Sequence, residues 1–138
     1  MAIEVRAFRA PDAAAVTKLW EAAFPDDPPW NNPADVIARK LAVQPELFLV
    51  ATAGDDIAGT VIAGYDGFRG WLHHVAVAQA FQGEGVARKL IEAAEERLAA
   101  MGCPKVNLQV RASNNAVRGL YLELGFTEED RLSFGKRL

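Results

Sequence analysis

The stretch from residue 71 to residue 111 constrains the fold more than any other part of the chain. It begins with an apolar segment, 71–78 (WLHHVAVA), runs through a loop with two glycines into a long helical pattern, and ends with 105–111 (KVNLQVR). The last segment alternates apolar and polar residues, which is typical of a strand. A helix that joins two neighbouring strands of one sheet usually places them parallel, so this stretch predicts a parallel pair with a crossover helix.

Outside this stretch the pattern is one of further strands, turns and helices. The other predicted strands are 2–9, 47–53, 57–65 and, as a final hairpin, 126–138. Two helices are expected between the first two strands, and another helix follows Asn114. This order of elements predicts an α/β (α+β) fold with a mixed sheet, in a single domain that spans residues 1–138.

The composition bounds the class of protein. The chain has 138 residues, 51% of them hydrophobic and 24% charged, which are ordinary values for one globular domain. A formal net charge of −3 does not favour nucleic acid as a partner. The single cysteine, Cys103, cannot form an intrachain disulfide, and no apolar run reaches the roughly 18 residues of a membrane span. We therefore expect a cytoplasmic protein with no nucleic-acid or membrane partner.

Gly83 and Gly85 stand between a predicted strand and a predicted helix. The first N–H groups of a helix lack acceptors within it and the helix dipole favours an anion there, so such a loop can hold a phosphate. A tight turn explains the same two glycines equally well. The chain lacks G-x-x-x-x-G-K-[ST], and the glycines do not follow the first strand, which argues against a P-loop or a dinucleotide-binding unit.

Two motifs resemble a known family. Residues 82–87 (QGEGVA) resemble the Q/R-x-x-G-x-G/A signature of the Gcn5-related N-acetyltransferases, and residues 114–126 resemble their N-x-A…Y…x-L-G-F signature. The two stand at the family's usual separation. The resemblance implies the acyl-CoA N-acyltransferase fold, with a mostly antiparallel sheet of six to seven strands, about four helices and a cleft between the splayed segments 71–78 and 105–111. The segments PWNNPADVIARK, GTVIAGYDGFRG and SFGKRL resemble one bacterial subgroup, the YpeA-type acetyltransferases.

The resemblance implies acetyl-CoA as cosubstrate and no metal. In the family, the strand corresponding to 71–78 pairs with the pantetheine arm, and the amides of the glycine loop hold the pyrophosphate. The residues implied to bind acetyl-CoA are Val75, Ala76, Val77, Gln82, Gly83, Glu84, Gly85, Val86, Ala87, Arg88, Asn114 and Tyr121. Two of these have simpler explanations, because Asn114 is also a helix cap and Arg88 can belong to a solvated helix face.

Two kinds of residue are candidates for the catalytic chemistry. By the resemblance, Tyr121 protonates the departing thiolate, although a tyrosine on an apolar helix stripe can equally fill the core. The only histidines, His73 and His74, lie on the strand next to the expected acetyl group, where an imidazole with a pKa of about 6.5 could take the amine's proton. Strict alternation would send the two rings to opposite faces, and the strand phase favours His73 over His74 or water. A structural role explains either histidine as well.

The acceptor is less constrained than the cosubstrate. Trp30 and Asn31 lie in the region that lines the acceptor site in this family, and Asp66 and Arg69 precede the strand that carries the histidines. Each also has a plainer explanation as a loop or turn residue. The acidic loop from Pro25 to Pro29 hints at a cationic acceptor. A small amine or amino acid and a protein amine both stay open, as do the acyl chain length and a homodimer formed through the terminal hairpin.

The resulting prediction is an acetyl-CoA-dependent N-acetyltransferase that moves an acetyl group to a primary amine by direct attack in a ternary complex. Two alternatives stay open from the sequence. One is a non-catalytic acyl-CoA sensor or interaction module on the same fold, which would tolerate the loss of Tyr121. The other is an α/β domain in which both motifs serve only as turns and caps, and this domain would not bind coenzyme A.

Overall fold

The computed structural model describes residues 2–138. The helices and strands are β1 (Ile3–Ala7), α1 (Ala13–Ala23), α2 (Pro33–Leu41), β2 (Phe48–Ala53), β3 (Asp56–Tyr65), β4 (Gly70–Val77), α3 (Val86–Ala100), β5 (Val106–Leu108) and α4 (Asn115–Glu123). Short 3-10 turns precede α1, α2, β2 and the glycine loop. In residues 2–138 no helix is both long and apolar enough to cross a membrane.

The sheet has the order β1-β2-β3-β4-β5. The first four strands are antiparallel neighbours, and β4 pairs with β5 in parallel through Gly70–Leu72 and Val106–Leu108. The predicted mixed sheet and the parallel crossover through α3 are therefore confirmed. The expected six to seven strands are not, because the sheet within residues 2–138 has five.

The missing strands are those of the terminal hairpin predicted over 126–138, which contains no strand. This segment runs beside β5 in the same direction and contacts its surroundings through side chains, because Glu129 bonds to Lys105 and Asn107 while Ser133, further along, bonds to Gln109. Leu132 and Phe134, which the alternation assigned to a strand, are exposed. The physical reason lies in β5, since a strand of three residues offers few ladder hydrogen bonds to offset the cost of ordering a hairpin.

Each face of the sheet carries its own apolar core. On one face α3 packs against alternate strand residues such as Leu49 and Leu72, and on the other α1 and α2 pack against residues such as Phe48 and Val50. Phe48 is fully buried, and its ring stacks on that of Trp20 in α1 with centroids 5.7 Å apart. Burying side chains of this size contributes about 1.5–3 kcal/mol each, so both layers are firmly attached to the sheet.

Gly59 on β3 fixes the start of α3 against the sheet. A Cβ at this position would lie 2.6 Å from the carbonyl oxygen of Ala76 and 3.0 Å from methyl carbons of Val86 and Leu90. A side chain would therefore force the first turn of α3 away from β4. The glycine lets the N-terminus of α3 lie close behind the end of β4. The glycine loop that joins these two elements is therefore held next to the end of β4.

Candidate active site

A β-bulge interrupts β4 at its centre. Thr60 of β3 pairs with Ala76 and Ile62 pairs with His73, so the single β3 residue between them faces the two β4 residues His74 and Val75. His74 has a φ of +50°, a left-handed conformation that non-glycine residues rarely adopt. A bulge bends its strand and changes the direction in which neighbouring groups point, and bulges are common next to active sites.

The bulge also changes the edge of β4 toward which the backbone N–H groups point. The N–H of Gly70 donates to Lys105 O on the β5 side (2.8 Å), whereas the N–H of Ala78 donates to Ala58 O of β3 (2.8 Å). In a regular strand two even-numbered residues would point to the same edge, so the bulge has reversed the alternation. The N–H groups of Val75 and Val77 consequently point toward the β5 side.

That side of β4 is open beyond the short parallel pairing. The ladder between the two strands ends at Leu72 and Leu108, while β4 continues to Val77. The predicted splay between 71–78 and 105–111 is thus present. The backbone N–H groups of Val75 and Val77 point into this splayed region. Ala76 is also predicted to contact acetyl-CoA, but its N–H points toward β3.

The two histidines lie on the same face of the sheet, which corrects the prediction that they point to opposite faces. Leu72 packs in the core on the α3 side, so His73 faces the other side, where its ring stacks on Trp71. The bulge turns His74 to that side as well, and its ring meets those of Trp20 in α1 and Phe24 just after it, at centroid distances of 4.8 and 4.9 Å. Alternation fails here because the bulge adds one residue to the strand.

His74 has the more defined surroundings. Its ring lies between Trp20 and Phe24, and its Nε2 is 3.7 Å from Oδ2 of Asp27. Burial lowers the pKa of His74 below its ordinary value of 6.5, and the charge of Asp27 opposes this shift. The imidazole is therefore mainly neutral at neutral pH, which is the form that accepts a proton. His73 is exposed, and partial enclosure of its ring, together with nearby Lys40, lowers its pKa as well.

A pocket of about 360 Å³ opens beside His74. It is bounded by the end of α1, by the loop 25–33 and by His74 itself, and we refer to it as the His74 pocket. Pockets for small molecules begin at about 300 Å³, so the space suits a small ligand.

A buried hydrogen-bond chain holds the bulge in place. The indole Nε1–H of Trp20 donates to the hydroxyl of Thr60 (2.8 Å), and that hydroxyl donates to the carbonyl of His74 (3.0 Å). Thr60 is fully buried, so these groups have little access to water. The chain connects α1, β3 and the bulged residue of β4.

We expect Thr60→Val to lower the free energy of unfolding by about 2–4 kcal/mol, because it leaves a buried donor and a buried acceptor without partners. Thr60→Ser is the matched control, because it keeps the hydroxyl and removes one methyl group, at a cost of about 1 kcal/mol. Urea unfolding of both variants measures the difference. Equal losses would show that the hydroxyl contributes nothing and that only packing matters at this position.

The glycine loop forms an open N-terminus on α3. Gly83 and Gly85 have φ values of +80° and +77°, and no atom lies within 4 Å of where a Cβ would stand at either position. Gly85 is the N-cap and provides no side-chain cap, and the first helical hydrogen bond runs from Lys89 N–H to Gly85 O (3.1 Å). The N–H groups of residues 86–88 therefore have no acceptor within the helix and are suited to an anion.

The side chains around this loop are mostly committed elsewhere or exposed. Arg88 forms an ion pair with Glu92 at 3.6 Å one turn further along α3, and Lys89 reaches the carbonyl of Ile3 (3.5 Å). Gln82 and Glu84 are exposed. The loop thus offers backbone amides first, with Arg88 as the nearest positive charge in the first turn of the helix.

Tyr121 and Asn114 occupy different environments on α4. Tyr121 is 8% exposed, its ring meets Phe126 edge-on at 5.7 Å, and burial raises its pKa above 10.0, so its hydroxyl is protonated at neutral pH. It borders a cleft of about 1410 Å³, which follows β5 and the terminal segment but does not include the glycine loop. Asn114 accepts a hydrogen bond from Val117 N–H (3.3 Å), so its role as helix cap is confirmed.

The predicted acceptor residues divide into two groups. Asp66 accepts hydrogen bonds from the N–H groups of Phe68 and Arg69 (both 2.8 Å), and these bonds lower its pKa. Arg69 stacks on Phe68, so this pair shapes the β3–β4 turn and does not border the His74 pocket. Asn31 does border it, and Trp30 lies next to Asn31 in the same 3-10 turn.

Sequence reasoning missed the residues that surround His74. The sequence pattern predicts only that Trp20 and Phe24 belong to an apolar helix stripe that packs on the sheet. In the structure their rings also enclose the imidazole of His74. The acidic loop gave a signal for Asp27, although nothing in the pattern pairs it with His74. The sequence signal for Thr60 was a hydroxyl side chain within an otherwise apolar run of β3, which indicates a buried hydrogen bond.

Comparison with known proteins decides the family. The family described as Acetyltransferase (GNAT) family matches residues 13–126. The chain belongs to the GNAT acetyltransferases. An acetyltransferase of Pectobacterium atrosepticum is 45% identical over 136 residues, which are 99% of this chain and 96% of that protein. An acetyltransferase of Yersinia enterocolitica is 44% identical over the same shares of the two chains.

Solved structures agree with this membership. The ribosomal-protein-S18-alanine N-acetyltransferase from Escherichia coli aligns with a TM-score of 0.76 at 26% identity, over 93% of this chain and 79% of that one. The aminoglycoside N-acetyltransferase AAC(6')-Iy in complex with CoA aligns with a TM-score of 0.80 at 20% identity, over 99% of this chain and 95% of that one. At this identity the alignment shows the fold alone. The GNAT protein is thus an acyl-CoA N-acetyltransferase, and the prediction from the two signatures is confirmed at that level. Its placement in the YpeA-type subgroup stays a prediction.

Proposed function

We propose that this GNAT enzyme transfers an acetyl group from acetyl-CoA to a primary amine by direct attack in a ternary complex, with His74 as the general base. One observation carries the proposal. The bulge in β4 turns the N–H groups of Val75 and Val77 toward the open edge of the strand and, at the same position, places the imidazole of His74 beside a small pocket. A carbonyl-binding edge and a neutral base therefore meet at one point of the strand.

The residues present fit acetyl-CoA. The free amides of residues 86–88, with bare backbone at Gly83 and Gly85, suit the pyrophosphate, because no side chain obstructs the approach. The open edge of β4 suits the pantetheine arm, and the N–H of Val75 suits the carbonyl oxygen, where negative charge develops during attack. Gln82, Glu84 and Arg88 line the approach to the loop.

The protein supplies the proton transfers. A protonated primary amine has a pKa of about 10 and must lose a proton before its nitrogen can attack the carbonyl carbon. Neutral His74 takes this proton, and Asp27 stabilises the imidazolium that forms. As the C–S bond breaks, Tyr121 gives its hydroxyl proton to the sulfur, and the phenolate that results takes the second proton from the amide nitrogen. The products are an amide and a neutral thiol, Tyr121 is protonated again, and the imidazolium of His74 releases its proton to solvent.

His74 replaces His73 in this role because its surroundings are better suited to a base. His73 is exposed and lacks a carboxylate partner among the described residues, whereas His74 has Asp27 within 3.7 Å and borders the pocket. Asn31, with Trp30 beside it, forms the rim where the acceptor enters. Asp66 and Arg69 do not belong to the proposed site.

Calorimetric titration with acetyl-CoA, followed by a thiol-release assay with a panel of amines, tests the proposal. We expect binding in the micromolar range and amine-dependent thiol release, and Tyr121→Phe should lower kcat by about 100-fold while binding stays intact. Binding without thiol release from any amine would contradict catalysis and support an acyl-CoA sensor instead. Absence of binding would contradict both.

A further inference from the structure

The lining of the His74 pocket is unusual in its charge. Two carboxylates border it, those of Glu21 and Asp27, and no lysine or arginine does. Among the described residues, the lysine or arginine that pairs with one of these carboxylates is Arg111. Its Nη2 is 3.8 Å from Oδ1 of Asp27, and its side chain is 71% exposed to solvent. Because His74 is mainly neutral at neutral pH, the pocket itself carries net negative charge.

Apart from the side-chain amide of Asn31, the lining is also poor in hydrogen-bond donors. Four of the bordering residues are prolines, which have no N–H: Pro25, Pro28, Pro29 and Pro33. The amide nitrogen of Asn32 is already bonded to Pro29 O (3.0 Å) and Asp35 (2.6 Å), and the indole N–H of Trp20 is bonded to Thr60. A ligand that brings its own N–H donors and positive charge suits this lining better than one that brings acceptors.

The pocket also has an apolar part, which suits the alkyl chain of such a ligand. Trp20 and Phe24 border the pocket together with the polar side chains of Glu21, Asp27 and His74. An alkyl chain packs against aromatic rings, and a cation is attracted to their faces. Outside the lining, Trp30 already holds a cation in this way, because the guanidinium of Arg137 stacks on it at 3.9 Å from the ring centroid.

Resting on the proposed function, we propose that the acceptor is a small alkyl amine with a second positively charged group, that is, a diamine. One amino group reacts beside His74, and the second is held by the carboxylate of Glu21. The pocket volume of about 360 Å³ favours a molecule of this size over a folded protein segment. Specificity then comes from the charge at the non-reacting end of the acceptor.

Three acceptors of equal chain length test this inference in the thiol-release assay: 1,4-diaminobutane, 1-aminobutane and 4-aminobutanoate. We expect kcat/KM for 1,4-diaminobutane to exceed that for 1-aminobutane by about 10- to 100-fold, which corresponds to one or two charge-assisted hydrogen bonds. 4-Aminobutanoate should be the poorest acceptor, because its carboxylate faces Glu21 and Asp27. The preference for the diamine should fall as ionic strength rises.

Glu21→Gln is the decisive variant, and Glu96→Gln, on the exposed face of α3, is its matched control. Glu21→Gln should reduce the ratio between diamine and monoamine toward two, the value that two equivalent amines alone would give. Glu96→Gln should leave the ratio unchanged. A wild-type ratio near two, or a preference for 4-aminobutanoate, would overturn the diamine proposal while acetyl transfer itself stands. No thiol release with any amine would instead overturn the proposed function on which the inference rests.

Discussion

His74→Asn is expected to lower kcat for acetyl transfer by about 100- to 1000-fold, the range that a positioned general base contributes. Asparagine lacks a basic nitrogen, but it is one of the few residues that tolerate the left-handed conformation that His74 adopts at φ +50°. The bulge and its backbone donors should therefore survive the change. Calorimetry should show acetyl-CoA binding within about threefold of wild type, which separates loss of the base from loss of the site.

The pH dependence gives an independent readout of the same change. A general base works only when it is deprotonated, so wild-type kcat should fall as pH drops through the pKa of His74. Burial lowers that pKa, so the acid limb should lie below pH 6.5, the ordinary value for histidine. In His74→Asn this limb should disappear from the residual rate.

His73→Asn is the matched control for this experiment, since it removes a neighbouring imidazole on the same face. It should keep kcat within about threefold of wild type, because His73 is exposed and stacks only on Trp71. A large loss in His73→Asn with near-normal activity in His74→Asn would return the role of base to His73. Retention of kcat by both variants would favour a water molecule as the proton acceptor.

The features that the sequence could predict are those with a regular period or a specific cap. The α3 crossover and its parallel strands follow from an apolar stripe and an alternating segment. Asn32, which precedes a proline and is of a residue type common at helix N-termini, caps α2 with its side chain accepting from Asp35 N–H (3.1 Å). The open helix N-terminus at Gly85 also follows from the sequence. In each case the local pattern and the tertiary environment favour the same structure.

The features that the sequence could not predict depend on a break in the period. A bulge has no fixed sequence signature in a strand such as 70–77, yet one extra residue reverses both the side-chain and the backbone alternation. The choice of His74 as base depends entirely on that reversal. The prediction of a terminal hairpin was wrong for a related reason. Alternation in 126–138 predicts a strand only if a neighbouring strand is long enough to pair with it.

Gly85→Glu is expected to weaken acetyl-CoA binding by at least about 100-fold. The substitution places a carboxylate at the N-cap of α3, within a few ångströms of the amides proposed to hold the pyrophosphate. Like charges at such distances repel by several kcal/mol in a partly desolvated site, and each 1.4 kcal/mol is tenfold in affinity. Calorimetric titration of the variant with acetyl-CoA measures the loss.

Folding should be affected only moderately by this substitution. No atom lies within 4 Å of a Cβ at Gly85, so the side chain meets no steric obstacle, but the φ of +77° costs a non-glycine residue about 1–2 kcal/mol. Gly85→Ala carries the same backbone strain without the charge and should lose less than about tenfold in affinity. The difference between the two variants therefore isolates the electrostatic part of the effect.

Gly102→Glu is the second control, because Gly102 lies just after the opposite end of the same helix, has a φ of +86° and has equally open surroundings. It introduces the same strain and the same charge about five turns away from the loop, at the end of α3 where the helix dipole disfavours an anion. It should therefore lower the melting temperature at least as much as Gly85→Glu and leave acetyl-CoA affinity unchanged. Equal loss of affinity in both variants would attribute the effect to destabilisation. Full affinity in Gly85→Glu would mean that the pyrophosphate lies elsewhere, and the glycine loop would then be explained as a turn between β4 and α3.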